Sequence, residues 1–328
     1  MHPFRYAEAG HIEGALALML QRERSAFIAG GTNLLDLMKE GVLTPQTLID
    51  IRALDGLRGI EQREGTLRIG ALEVMSDVAA QPIVAAAFPA VSEALLASAS
   101  AQLRNMATIG GNLLQRTRCG YFRDVAFPCN KRHPGSGCPA IAGVSRMHAI
   151  VGTSDDCIAS HPSDVAVALV AFDASLIIRS ASGERSMRLE RFYCTPAESP
   201  QMENHLERGE LIVAVEIPIS NVARKSHYLK VRDRASYEFA LVSVAAGVEW
   251  SGDMMNAVRV AFGGIGSKPW RSHEAEAELQ GATWSEETVA RAAAAATRDA
   301  KTTTHNAFKI DLVHRALKRS IESLRAQR

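Results

Sequence analysis

The stretch Phe27-Ile28-Ala29-Gly30-Gly31-Thr32-Asn33-Leu34 decides how the first half of this chain is read. A short apolar run from Ser25 to Ala29 meets two glycines, and Leu34, Leu35, Leu37 and Met38 then carry the spacing of a short amphipathic helix ending at Gly41. That is strand, glycine turn, helix. Paired glycines admit backbone angles closed to residues with a Cβ, so consecutive N–H groups can converge on one concavity. Thr32 and Asn33 can cap the helix, whose positive end adds to the attraction for a phosphate. A plain tight turn is the alternative for a single Gly-Gly. A second turn, Thr108-Ile109-Gly110-Gly111-Asn112, favours the ligand reading, because two such turns suit a diphosphate held between two lobes. Neither turn is a Walker loop or GxGxxG, so the usual nucleotide folds are not indicated.

Outward from these turns, Thr47–Ile51 and Thr66–Ile69 read as strands, and Asp77–Ala80 and Ala90–Ala101 as helices, the second following Pro89. From Gln115 to Asp156 the periodicity disappears, as in a loop ordered by something other than an apolar core. Regular structure returns with a helix at Asp164–Phe172 and strands at Ala174–Arg179 and Leu211–Ile217. A polar connector, Ser220–Lys225, suggests a boundary. His227–Arg232, Ala240–Glu249 and Ala257–Phe262 read as three strands. Thr283-Trp284-Ser285-Glu286 reads as a capping box opening a helix to Ala300, and Ile310–Leu324 as a final amphipathic helix. The C-terminal third is thus expected to be a three-strand, two-helix α+β unit.

The 328 residues suit about two domains. With 37 basic and 36 acidic side chains the formal net charge is +1, so no global field favours nucleic acid or anionic lipid. The longest clean apolar run, Val165–Phe172, is eight residues, far below the about 20 of a spanning helix. The N-terminal residues, Met1 to Tyr6, run into polar sequence, so no secretory signal is expected here.

Four of the five cysteines, Cys119, Cys129, Cys138 and Cys157, fall in the aperiodic segment, separated by nine, eight and eighteen residues. Four thiolates there suffice for a tetrahedral zinc or a [4Fe–4S] cluster, with metal–sulfur bonds replacing a missing core. The lack of C-x-x-C pairs counts against zinc. Arg116, Arg118, Arg123, Lys131, Arg132 and His133 surround the first two cysteines, a positive density expected to favour thiolates. Cys194 lies outside the segment and reads as a buried thiol.

Phe27–Leu34, Ala107–Leu113 and Ser160-His161-Pro162-Ser163-Asp164, in that order, resemble the FAD-binding signatures of the flavoprotein subunit of molybdenum hydroxylases, the xanthine dehydrogenase and carbon monoxide dehydrogenase group. The cysteine segment is similar to that of a narrower branch, the FAD/[4Fe–4S] subunit of bacterial periplasmic aldehyde oxidoreductases. The resemblance implies an α+β fold: a two-lobed FAD-binding domain of the vanillyl-alcohol-oxidase/PCMH type over 1–220, with an iron–sulfur insertion at about 115–158, then a small three-stranded α+β domain over 225–328. It implies FAD held by Phe27, Ile28, Ala29, Gly30, Gly31, Thr32, Asn33, Leu34, Thr108, Ile109, Gly110, Gly111, Asn112, Asp164, Ile212 and Lys230. Asp164 would accept from a sugar hydroxyl, Ile212 would pack on a ring, and Lys230 would reach the flavin edge. It implies a [4Fe–4S] cluster on Cys119, Cys129, Cys138 and Cys157. Catalytic residues are expected on a partner chain. The implied function is electron transfer in a molybdenum-dependent aldehyde oxidoreductase, from a [2Fe–2S] small subunit via FAD to an external acceptor, beside a molybdenum-cofactor large subunit. Location is expected to be periplasmic, by co-export with a signal-bearing partner, or else cytoplasmic. The alternatives are a non-redox scaffold with structural zinc and a stand-alone NAD(P)H-flavin reductase.

Overall fold

The computed structural model describes residues 1–327. Three sheets organise them. The first is parallel, in the order β1 (Arg5–Glu8), β3 (Thr47–Asp50), β2 (Ser25–Ile28). The second has five antiparallel strands in the order β4 (Ile60–Arg63), β5 (Thr66–Gly70), β8 (Leu211–Pro218), β6 (Ser175–Ser180), β7 (Gly183–Arg188). The third runs β12 (Trp270–Arg271), β11 (Met254–Gly263), β10 (Val242–Ser251), β9 (Ser226–Val231), again antiparallel.

The central strands of the five-stranded sheet are buried on both faces. On one face Leu176, Ile178 and Val215 join the core built by α3 (Pro89–Ala97) and α4 (Asp164–Ala171). On the other, Ile177, Leu211 and Val213 pack with α1 (Ile12–Gln21) and Ile49. The register shift at Ile177/Ile178 leaves Val213 of β8 without a partner in β6, and Val213 and Ala214 both join this second cluster. Every residue of α4 is buried. A helix apolar all round needs cover on every side, and Ala245, Ala261 and Tyr228 of the third sheet belong to the same core. The opposite face of that sheet, through Val244, Val248, Val260 and Phe262, packs on α5 (His273–Leu279), α6 (Glu286–Ala296) and α7 (Lys309–Ala326). α4 therefore joins the two halves of the chain around the candidate site.

Several expectations need correction. The C-terminal unit has four strands and three helices among the described residues, because the short edge strand β12 and the polar helix α5 add to those expected. The cap of α6 is Ser285, whose side chain accepts from the Thr288 amide, not Thr283. The helix expected through Ala101 stops at Ala97, because Ala99 adopts a left-handed φ of 49°, and a new turn starts at Ala101. The connector at 220–225 contains a turn of helix, Asn221–Arg224, capped by Ser220. The aperiodic segment holds one helical turn, Gly120–Arg123.

Candidate cofactor cleft and cysteine cage

The two glycine turns face each other but do different work. Gly31 takes a left-handed φ of 70°, as a strand-to-helix turn requires, and a Cβ on Gly30 would lie 1.9 Å from the Met106 carbonyl oxygen. The first turn thus lies backbone-to-backbone against the segment leading into the second. Among the described residues the amides of Gly30, Gly31, Thr32 and Asn33 donate to no protein acceptor, the condition for an anion-binding nest. Asn33 stands at the N-cap of α2 (Leu34–Lys39) but does not cap it; its Oδ1 accepts from the Arg116 amide at 3.0 Å, and its Nδ2 is buried without a partner. A buried orphan donor is costly unless a ligand meets it.

The second turn offers no such nest. Ile109 and Gly110 donate to the carbonyls of Glu73 and Ala71 at 2.9 and 2.8 Å, and Gly111 donates to Thr108 Oγ1 at 3.2 Å. Its closeness to Ala71 requires Gly110, where a Cβ would come within 3.0 Å of the Ala71 Cβ. Free donors therefore concentrate in the first turn; in the second, Thr108 Oγ1 accepts from the Gly111 amide and Asn112 Oδ1 from Ser163 Oγ at 2.5 Å. A cavity of about 230 Å³ lies here, bounded by residues 27–34, Thr108, Gly110, Gly111 and Ile212.

Gly30, Gly31 and Thr32 also border a second chamber of about 460 Å³ with Asn112, Asp164 and Lys230. Asp164, 6% exposed, accepts from Tyr228 Oη at 2.6 Å through Oδ1, and from Lys230 Nζ at 2.7 Å and Ser98 Oγ at 3.1 Å through Oδ2. Burial, then the Asp164 charge, holds the Tyr228 phenol well above its usual range. Lys230 and Arg232 both donate to the Ala97 carbonyl, at 3.2 and 3.1 Å, tying down the backbone beside left-handed Ala99. The helix cap at this point is Ser163, which accepts from the Ala166 amide, and Asp164 is free for the network. Ser98, Tyr228 and Arg232 were not singled out by the sequence. Arg118, seen only as one of several basic residues, borders both this chamber and a third of about 740 Å³; its guanidinium lies 5.0 Å over Phe239 and its Nε is buried without a partner.

Residues 2–220 match the FAD binding domain in molybdopterin dehydrogenase, and residues 227–324 the CO dehydrogenase flavoprotein C-terminal domain. The chain belongs to the FAD-binding subunits of the molybdenum hydroxylases. This flavoprotein subunit is 49% identical to the aldehyde oxidoreductase FAD-binding subunit of Escherichia coli K12, with 100% of both chains covered. It is 28% identical to the glyceraldehyde dehydrogenase medium chain of Sulfolobus acidocaldarius, over 86% of this chain and 83% of that one. Among solved structures, carbon monoxide dehydrogenase from Hydrogenophaga pseudoflava superposes with a TM-score of 0.77 at 25% identity, covering 99% of this chain and 98% of that chain. The fold is shown to be that of the family: a mixed α/β FAD-binding domain followed by a smaller domain with an antiparallel sheet. No helix among the described residues is long and apolar enough to cross a membrane.

In the flavoprotein subunit's insertion, Cys119, Cys129, Cys138 and Cys157 all border one small closed cavity, and none forms a disulfide. Burial pushes the Cys119 thiol up to about 12, with Cys157 and Cys129 adding to it, and raises Cys138 and Cys157 as well. The expected basic field is largely spent elsewhere. Arg116 pairs with Glu203, Arg123 reaches Glu40 at 2.9 Å, and Arg132 donates to the carbonyls of Tyr121, Phe122 and Phe127. Lys131 lowers the Cys157 thiol, though less than burial raises it. Sulfurs so placed carry negative charge only beside a cation, which is the donor chemistry of a metal cage. His148 Nε2 lies 3.1 Å from Cys119 Sγ, a neighbour the sequence did not reveal. Cys119 also borders the 740 Å³ chamber, which in turn shares Arg118 and Asp164 with the 460 Å³ one.

Proposed function

We propose that this chain is the FAD- and [4Fe–4S]-carrying electron-transfer subunit of a molybdenum-dependent aldehyde oxidoreductase, with substrate chemistry on a molybdenum-cofactor large subunit and a [2Fe–2S] small subunit between them. The carrying observation is the donor-lined first turn sharing one chamber with Asp164 and Lys230, beside a neighbouring chamber that meets the four-cysteine cage at Cys119 and shares Arg118 and Asp164 with the first. The full-length likeness to an aldehyde oxidoreductase subunit supports the substrate class.

In this reading the amides of Gly30–Asn33 hold the diphosphate, with Thr108 and Asn112 beside it, Asp164 keeps one acceptor position for a sugar hydroxyl, and Ile212 covers an apolar ring. Asp164 has about four lone-pair sites and spends three on protein donors; Lys230 spends two of its three protons. Bound FAD supplies acceptance of electrons singly or in pairs. Lys230 faces that group already paired with Asp164, so its positive charge is largely offset.

Cys119, Cys129, Cys138 and Cys157 would hold the cluster. A single tetrahedral zinc, with bonds of about 2.3 Å, draws sulfurs to within about 3.8 Å of one another. Among the described residues no three of these cysteines crowd within 4.8 Å, a spread that suits a multi-iron cage. The decisive measurement is metal and flavin content with a visible spectrum before and after dithionite. About four iron atoms and one FAD per chain are expected, with Cys129→Ser losing the iron and keeping the flavin. Stoichiometric zinc without iron overturns the cluster. Residence in the periplasm through a signal-bearing partner is part of the proposal, resting on the insertion's resemblance; fractionation of cells lacking that partner should leave the chain in the cytoplasm.

A further inference from the structure

We propose that Cys194, Glu198 and His205 form a second metal site, separate from the cysteine cage, that binds one zinc-class divalent cation. Cys194 is 3% exposed, and its Sγ lies 3.4 Å from His205 Nε2. The same Nε2 lies 3.7 Å from Glu198 Oε2, and the three donor atoms all fall within 4.8 Å of one another. Tetrahedral zinc, with bonds of about 2.3 Å to sulfur and about 2.0 Å to nitrogen or oxygen, spaces its sulfur and nitrogen ligands about 3.5 Å apart and its nitrogen and oxygen ligands about 3.3 Å. The donors already stand within about 0.4 Å of those spacings.

The backbone explains why. Tyr193 and Asn204 form an isolated antiparallel bridge, Cys194 N donates to the Glu203 carbonyl at 3.2 Å, and His205 N donates to the Phe192 carbonyl at 2.9 Å. These bonds close the loop from Cys194 to His205 and put its two ends side by side. Glu198 is oriented separately: Oε1 accepts from the Thr195 amide at 2.9 Å and from Thr195 Oγ1 at 3.1 Å, leaving Oε2 for the metal. Such support of a ligating carboxylate is what metal sites need from their surroundings.

Sulfur, imidazole and carboxylate together suit zinc and discriminate against magnesium and calcium, which take oxygen ligands. The His205 and Glu198 side chains are 41% and 53% exposed, so a cation enters from solvent and its fourth position stays open to water. Binding forms bonds from Sγ, Nε2 and Oε2, and the thiol proton leaves to solvent; no electron moves. The consequence is local. This loop carries Glu203 and Pro200, which hold Arg116 and Lys131 of the insertion, so the cation would clip the strut on which the insertion leans. None of this rests on FAD or on the cage.

The experiment titrates chelator-treated full-length chain with Zn²⁺ alone, by calorimetry and by metal analysis after gel filtration. One equivalent is expected to bind with a Kd below about 1 µM. Cys194→Ser and His205→Ala should each weaken binding more than about 100-fold, beyond what outer-shell losses cost, with iron content unchanged. His205 is exposed enough that its variant folds if the Cys194 one does not. Hydrogen exchange of the 195–204 amides should slow on adding Zn²⁺ to wild type and not to His205→Ala. Equal zinc affinity in wild type and both variants, or no binding up to 1 mM Zn²⁺, overturns the site.

Discussion

A methyl group on Gly30 would sit 1.9 Å from the Met106 carbonyl oxygen, a backbone atom that cannot rotate away. Gly30→Ala must therefore move the first turn off the segment before the second, opening the nest that the free amides of Gly30–Asn33 form. We expect this variant to fold with its C-terminal half intact and to retain less than about a tenth of the wild-type flavin, a loss of about 1.4 kcal/mol or more in cofactor binding. Flavin content equal to wild type would remove the diphosphate from this turn. Gly31→Ala acts differently, through a left-handed φ of 70° that costs a residue with a Cβ about 1–2 kcal/mol. Lys230 and Asp164, 4% and 6% exposed, form a buried pair. Lys230→Met leaves that carboxylate with Tyr228 and Ser98 but without a countercharge, and should destabilise by about 3–5 kcal/mol. Asp164→Asn in the same chain should restore much of the loss. A denaturation cycle showing additive effects would mean the pair is not coupled.

At the scale of elements, α7 is anchored by Lys309, which is fully buried and donates to the carbonyls of His148 and Gly264 at 2.9 and 2.6 Å. Burial, then Arg146, brings its ammonium down to about 7. Because the folded pKa is depressed, the unfolded chain binds more protons between about 7 and 10.4, so stability rises with pH through that window and is lost as pH falls. Wild type should gain about 2 kcal/mol from pH 7 to pH 9 through this group. Lys309→Met should lack that gain, and identical pH profiles for the two chains would refute the anchor. Elements such as these also show what was legible beforehand. β2, α2, β10 and α4 announce themselves because an apolar face or a fully apolar run has one way to be buried. β1 and β7 are mostly exposed, with no alternation for sequence to display, and α5, His-Glu-Ala-Glu-Ala-Glu-Leu, hides two core residues among acids. Within the site, the glycine turns and the four cysteines were readable because few residues can do their work. Ser98, Tyr228, His148 and the Cys194–Glu198–His205 triad were not, because tertiary packing alone brings them together.

Across the whole molecule, three large apolar clusters hold the lobes and the C-terminal unit, whereas the insertion adds only Ile150 and Val151 to one of them and Phe122 and Cys129, with Leu37, to a fourth. Its order rests instead on polar ties: Arg123 to Glu40, Arg116 and Lys131 to Glu203, and Asn130 Nδ2 to the Asp156 carbonyl at 2.9 Å. These ties are few and mostly half-buried, and three of the four cage sulfurs, Cys119, Cys138 and Cys157, are thiols that burial disfavours as thiolate. On the proposed reading of the cage, taking iron away should therefore loosen this segment and leave the rest standing, since local opening follows local contact rather than global stability. Val125 and Val144, 57% and 70% exposed, lie within this segment. Trypsin acting on the iron-depleted chain should cut at Arg123, Lys131 or Arg132 at least about tenfold faster than on the iron-loaded one, for each 1.4 kcal/mol by which opening becomes easier. The C-terminal unit should survive equally in both. Matching cleavage rates would mean that the polar ties alone hold the insertion and that the four sulfurs are not what orders it.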